Sequence, residues 1–195
     1  MNTILFALGL LLAATSYGYA AGEAVNQSAH ETKLWQALAS ERHVVLMRHA
    51  TAPGTGDPSN FALRDCATQR NLSDEGRAQA ARIGARFRAA GIASARVLSS
   101  QWCRCLETAK LLGLGPVEEL ASLNSFFSHP DRRAAATQAL KDWLIAQPLE
   151  GPIVLVTHQV NITALTGIYP RSGEMVILQR IGDGGLLAAG RIETE

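Results

Sequence analysis

The segment Pro152-Ile-Val-Leu-Val-Thr157 limits the fold of this chain more than any other. A short run of β-branched and aliphatic residues without polar alternation suits a strand covered on both faces, because a half-exposed strand is polar at every second position. Strands buried in this way belong to parallel sheets, whose neighbours need a crossover helix between them. His43-Val-Val-Leu-Met47 has the same character, Arg96-Val-Leu-Ser99 is a shorter case, and a weak strand is predicted near Val117 to Leu120. Glu174 to Arg180 and Leu186 to Ile192 read as two final strands joined by the Gly182-Asp-Gly-Gly185 turn.

Helical segments fall between these strands. Ser73 is placed to cap a helix whose first turn carries Asp74 and Glu75, with Ala81, Ile83, Phe87 and Ala90 on an apolar face and Gly91 as its stop. A second helix is predicted from about Gln101 to Leu112, ending at Gly113. A third runs from Pro130 to Ala146 with Pro148 beyond it, and a fourth begins at Asn161 to Leu165. Ala52 to Asn60, with two Gly and two Pro, is a loop. The pattern implies an α/β fold: a single three-layer domain with a mainly parallel sheet flanked by helices.

With 195 residues, 47% of them hydrophobic, the chain can bury one sizeable core. Its formal net charge of +1 excludes a general field drawing the molecule to nucleic acid or anionic lipid, so any anion site must be local. Residues 1–20 contain no charged side chain, and Ile4 to Ala14 form an apolar run followed by small residues, the outline of a signal peptide cleaved after Ala20. No Lys or Arg precedes the run, so an uncleaved membrane anchor is the alternative. Residues 21–40 then read as a polar linker with a helical stretch around Lys33 to Ala39, and 41–195 as the folded domain. An exported chain permits a disulfide, and Cys66 with either Cys103 or Cys105 is the expected pair. Cys103 and Cys105, two residues apart on a helix, point to different sides. The lone Cys-x-Cys has no second pair to complete a zinc site, and no metal or other cofactor is expected.

His49 and His158 each stand directly after a buried strand, and in α/β sheets ligands sit beyond the carboxyl ends of the strands. Arg48 adjoins the first histidine, and Arg104 falls near the start of a helix, where backbone N–H groups favour an anion. Two guanidinium forks and two imidazoles at one place describe a phosphate site. A neutral imidazole can attack phosphorus in line to give a phosphohistidine that water hydrolyses, while fixed cationic donors meet the charge spreading over the equatorial oxygens.

At these residues the chain resembles the histidine phosphatase superfamily, which includes the cofactor-dependent phosphoglycerate mutases. Leu46-Met-Arg-His-Ala-Thr51 is similar to its Arg-His-Gly signature with Ala50 in place of glycine, and Asn71-Leu-Ser-Asp-Glu-Gly-Arg-Ala-Gln-Ala80 to its Leu-Thr/Ser-x-x-Gly-x-x-Gln-Ala helix start. Ser99-Ser-Gln-Trp-Cys-Arg-Cys-Leu-Glu-Thr-Ala109 resembles the Ser-Ser-x-x-x-Arg-x-x-x-Thr-Ala segment, and Val154-Leu-Val-Thr-His158 the second-histidine strand. The resemblance implies a phosphoglycerate mutase-like fold, His49 as phosphoryl acceptor, His158 as its catalytic companion, and Arg48 and Arg104 as phosphate ligands. Small phosphorylated molecules are the implied partners, with no nucleic acid.

The proton donor for the leaving group is not assigned by the resemblance. Gln159 follows the second histidine and cannot serve as an acid, which leaves Glu118, Glu119 and Asp131 as candidates, or none. A chain without a donor suits a phosphoramidate or acyl phosphate, or an exported module that binds phosphate esters without turnover. His30 and His43 read as structural or solvated, His129 as a candidate for the pocket rim, and Trp102, Phe126 and Phe127 as core or pocket wall.

Overall fold

The computed structural model describes residues 29–38, 43–148, 150–182 and 184–194. The chain divides into two units, Met1–Lys33 and Leu34–Glu195. In the first, residues 29–33 are helical, while the expected signal peptide lies outside the described residues. No described helix is long and apolar enough to cross a membrane.

The second unit begins with a helical segment α1 (residues 34–38). Leu34 and Leu38 of the expected linker are buried in the main core cluster, so this stretch packs as part of the fold. There follow β1 (His43–Arg48), α2 (Asp74–Ala89), β2 (Arg96–Ser99), α3 (Cys103–Leu112), β3 (Val117–Glu119), α4 (Arg133–Ala146), β4 (Ile153–Thr157), α5 (Gln159–Thr166), β5 (Met175–Ile181) and β6 (Gly185–Ile192). Single 3₁₀ turns at Cys66–Thr68, Ala121–Leu123 and Pro130–Arg132 had no counterpart in the sequence reading, the last taking the Pro-led start assigned to α4.

The six strands form one sheet in the order β3-β2-β4-β1-β5-β6. The first three pairings in that order are parallel and the last two antiparallel, the β5–β6 hairpin closing one side. Side chains of β1 alternate between the two faces. Val45 and Met47 join Ile83, Phe87, Ala109 and Leu112 in one cluster, whereas Val44 and Leu46 join Leu140, Leu144 and Ile162 in the other. That is why β1 and β4 show no polar alternation: each has helices on both faces. The helices change sides because the chain runs from β1 outward to β3 and then returns to β4. Crossovers of one hand put oppositely directed connections on opposite faces.

Several helix ends follow their local chemistry. Ser73 Oγ accepts the Gly76 amide at 3.0 Å, and Gly113 closes α3 in the left-handed region at φ 63. Gly76 is required for another reason: a Cβ there would lie 2.0 Å from the Thr51 carbonyl oxygen, so the start of α2 rests on the backbone just beyond His49.

Candidate active site

The carboxyl ends of β1, β4 and β2 lie side by side, and their register is fixed by backbone bonds. The His49 amide donates to Thr157 O at 2.9 Å and the Ser100 amide to Val156 O at 2.9 Å. His49, His158 and Ser100 therefore leave the sheet at the same level. Arg104 enters from the first turn of α3.

His49 is buried, and its Nδ1 lies 2.7 Å from the Ala50 carbonyl oxygen. A carbonyl only accepts, so Nδ1 carries the proton and Nε2 keeps its lone pair. Arg104 Nε–H points at that Nε2 from 3.3 Å, and Arg104 Nη2 at His158 Nδ1 from 3.4 Å. With Nδ1 accepting, His158 Nε2–H faces Ser100 Oγ at 2.8 Å, and the serine donates onward to Asn124 Oδ1 at 3.2 Å. The two imidazole rings stand edge to face with centroids 5.6 Å apart.

Burial, then Arg104, Arg48 and Arg70, push His49 down to about 3. The same effects, with His49 added, hold His158 well below the ordinary histidine range. Both rings are neutral, and desolvation favours that state for each. The Nε of Arg48 is buried without a hydrogen-bond partner among the described residues, while its Nη1 donates to Pro170 O at 3.0 Å.

The structure thus brings His49, His158, Arg104 and Arg48 to one place. The acid candidates are engaged elsewhere. Glu118 holds a two-point pair with Arg96, Glu119 is paired with Arg64 and Gln101, and Asp131 is exposed in its 3₁₀ turn. His129 is exposed before that turn, Trp102 lies edge-on to His158, Phe126 is buried and Phe127 is half exposed. Cys66 and Cys103 form the disulfide, which ties the start of α3 to the 66–68 turn. Cys105 is free and buried, its thiol pushed up to about 12 by burial, 3.5 Å from His158 Nε2.

Two site residues were missed by the sequence reading. Asp57, from the Gly/Pro loop after β1, accepts Arg104 Nη1 at 2.6 Å and Nη2 at 3.2 Å. Burial pushes its carboxyl up, but the bonds from Arg104 and the charge behind them prevail and hold it below the ordinary carboxylate range. Arg70 donates to Gly56 O at 2.8 Å and to Ala52 O, and its charge acts on both histidines. The available signal was electrostatic: clustered buried guanidinium groups call for a carboxylate, and Asp57 is the one acid in the loop beside them.

Two of the motif positions act as struts. Thr108 Oγ1 receives the Ala50 amide at 3.1 Å and donates to Arg104 O at 2.7 Å, coupling the loop after His49 to α3. Gln79 Oε1 receives both the amide and the hydroxyl of Thr51 at 3.0 Å, while its Nε2 donates to Ser172 O and Thr194 O.

Residues 44–126 match the family model described as the histidine phosphatase superfamily (branch 1). None of the curated proteins compared matches the chain. Among solved structures, the chain is similar to the protein histidine phosphatase SixA complexed with tungstate, at 14% identity and TM-score 0.55, covering 78% of this chain and 97% of that one. A mycobacterial glucosyl-3-phosphoglycerate phosphatase matches at 18% identity and TM-score 0.52, over 71% and 92% of the two chains. An open reading frame product of Mycobacterium tuberculosis matches at 19% identity and TM-score 0.55, over 77% and 100%. At these identities the likeness is one of fold.

Proposed function

From a chain whose residues 44–126 match the histidine phosphatase superfamily model, we propose a phosphatase that works through a covalent phosphohistidine on His49. The observation that carries the reading is the fixed tautomer: Nδ1–H spent on the Ala50 carbonyl leaves the Nε2 lone pair beside Arg104 and His158. Nε2 attacks phosphorus, the N–P bond forms as the bond to the leaving group breaks, and water then releases inorganic phosphate and restores the imidazole. Arg104 and Arg48 take the equatorial oxygens, and His158 completes the cradle.

Neither Glu118, Glu119 nor Asp131 has a bond to the histidines or to Arg104, and Asp57 is bound into its ion pair with Arg104. Substrates whose leaving group departs with little protonation therefore fit best, a phosphoramidate or acyl phosphate ahead of an alkyl phosphomonoester. Export from the cytoplasm is supported by the uncharged, apolar beginning of the chain together with the Cys66–Cys103 disulfide, which persists in oxidising compartments.

Alkaline-quench trapping with radiolabelled p-nitrophenyl phosphate, with an acid-treated aliquot as control, tests the central step. Wild type is expected to yield a phosphoramidate label that is stable in alkali and lost in acid, mapping to His49. His49→Ala should give no label and at least about a 10³-fold lower rate. Undiminished hydrolysis by His49→Ala would remove the nucleophile assignment, and a wild type that binds phosphate without turnover would make the protein a binding module.

A further inference from the structure

We propose that Asp57 is a positioning residue for phosphoryl transfer, gripping the outer edge of the Arg104 guanidinium so that its inner edge faces the reacting group. This rests on the reading of His49 as nucleophile, and it concerns a side chain from a different loop. A guanidinium is planar and offers two bidentate edges, one from Nη1 and Nη2 and one from Nε and Nη2. Asp57 occupies the first, at 2.6 and 3.2 Å. The second points at His49 Nε2 and His158 Nδ1, at 3.3 and 3.4 Å. Because the group is rigid, fixing one edge aims the other.

The carboxylate is itself held fast. Oδ1 receives the Arg70 amide at 3.1 Å and Oδ2 the Trp102 indole N–H at 3.0 Å. The loop behind it is tied by Arg70 to Gly56 O and Ala52 O. Side-chain exposure is 4% for Arg104 and 14% for Asp57, so water competes little for the pair. A carboxylate in a phosphate pocket would repel a phosphoryl dianion if it lay on the inner edge. On the outer edge it instead offsets the desolvation of Arg104 and leaves two N–H groups directed at the histidines.

The competing view makes Asp57 an internal competitor that phosphate must displace from Arg104, and the two views give opposite signs. Inorganic phosphate affinity and p-nitrophenyl phosphate kinetics are measured for wild type, Asp57→Asn, Arg104→Ala and the double variant. Asparagine keeps one acceptor but presents an NH₂ group where Oδ2 received two donors. Positioning predicts phosphate affinity and kcat/KM each lowered about 30-fold in Asp57→Asn. In the Arg104→Ala background the same change should alter kcat/KM less than about twofold, since the group it acts through is gone.

Tighter phosphate binding by Asp57→Asn would overturn the proposal in favour of competition. An equal loss in both backgrounds would overturn it in favour of general loop packing. Should Asp57→Asn not fold, Asp57→Glu keeps the charge balance but moves the carboxylate by one methylene, and it is expected to retain the wild-type unfolding midpoint while losing kcat. Unchanged kcat in that variant would count against positioning. Absence of turnover in wild type would sink the nucleophile reading alone, because the sign of the phosphate-affinity change still decides the role of Asp57.

Discussion

Burial and the three guanidinium groups around it push the His49 imidazole down to about 3, so the ring is a neutral base across the whole physiological range. An NMR titration reads this directly: the His49 ring resonances are expected to stay fixed from pH 8 to pH 5, where an exposed histidine passes through its midpoint near 6.5. A midpoint at or above 6.5 would contradict the neutral pocket. The two histidines were legible from sequence because each ends a buried strand, and strand ends are positions that periodicity can locate. Asp57 and the Ser100–His158 contact were not. Asp57 meets Arg104 across 47 residues and Ser100 meets His158 across 58, and no local pattern announces a partner at that distance. The disulfide was half legible, its two pairings distinguished only once α3 was seen to turn Cys105 into the core.

Among the elements, α2 shows how a motif glycine answers to packing rather than to flexibility. Replacing a helical glycine by alanine ordinarily stabilises by about 0.5–1 kcal/mol. At Gly76 the added carbon would meet the Thr51 carbonyl oxygen at 2.0 Å, contact with backbone that cannot swing aside. The overpacking term, about 1–3 kcal/mol, is the larger, so Gly76→Ala is expected to lower the denaturant midpoint. Activity should fall with it, because Thr51 lies two residues from His49, the proposed nucleophile. A raised midpoint would show that the loop yields. Helix and strand positions followed the sequence closely because caps and apolar runs act locally. The 3₁₀ turns at Cys66–Thr68 and Ala121–Leu123 escaped notice because they are too short to carry a period.

For the molecule as a whole, neutral buried histidines tie stability to pH. His49 and His158 both have folded-state values below the unfolded 6.5, so below that pH the unfolded chain binds protons that the native state refuses. Above about pH 6.5 neither form is charged and the contribution vanishes. Between 6.5 and 5, above the range where ordinary carboxylates titrate, the melting temperature should fall as the solution is acidified. Thermal denaturation across that window checks the sign, and His158→Gln should flatten the slope; a melting temperature that rises on acidification would be inconsistent with the pocket.

Gln79 joins three stretches that the ribosome makes at very different times: its carboxamide oxygen holds Thr51, and its nitrogen reaches Ser172 and, 115 residues downstream, Thr194. During translation the strand bearing His49 and the helix bearing Gln79 emerge early, whereas the carbonyls that orient the carboxamide arrive near the end of the described chain. A nascent chain therefore carries His49, the proposed nucleophile, long before the loop beside it is braced from Ser172 and Thr194.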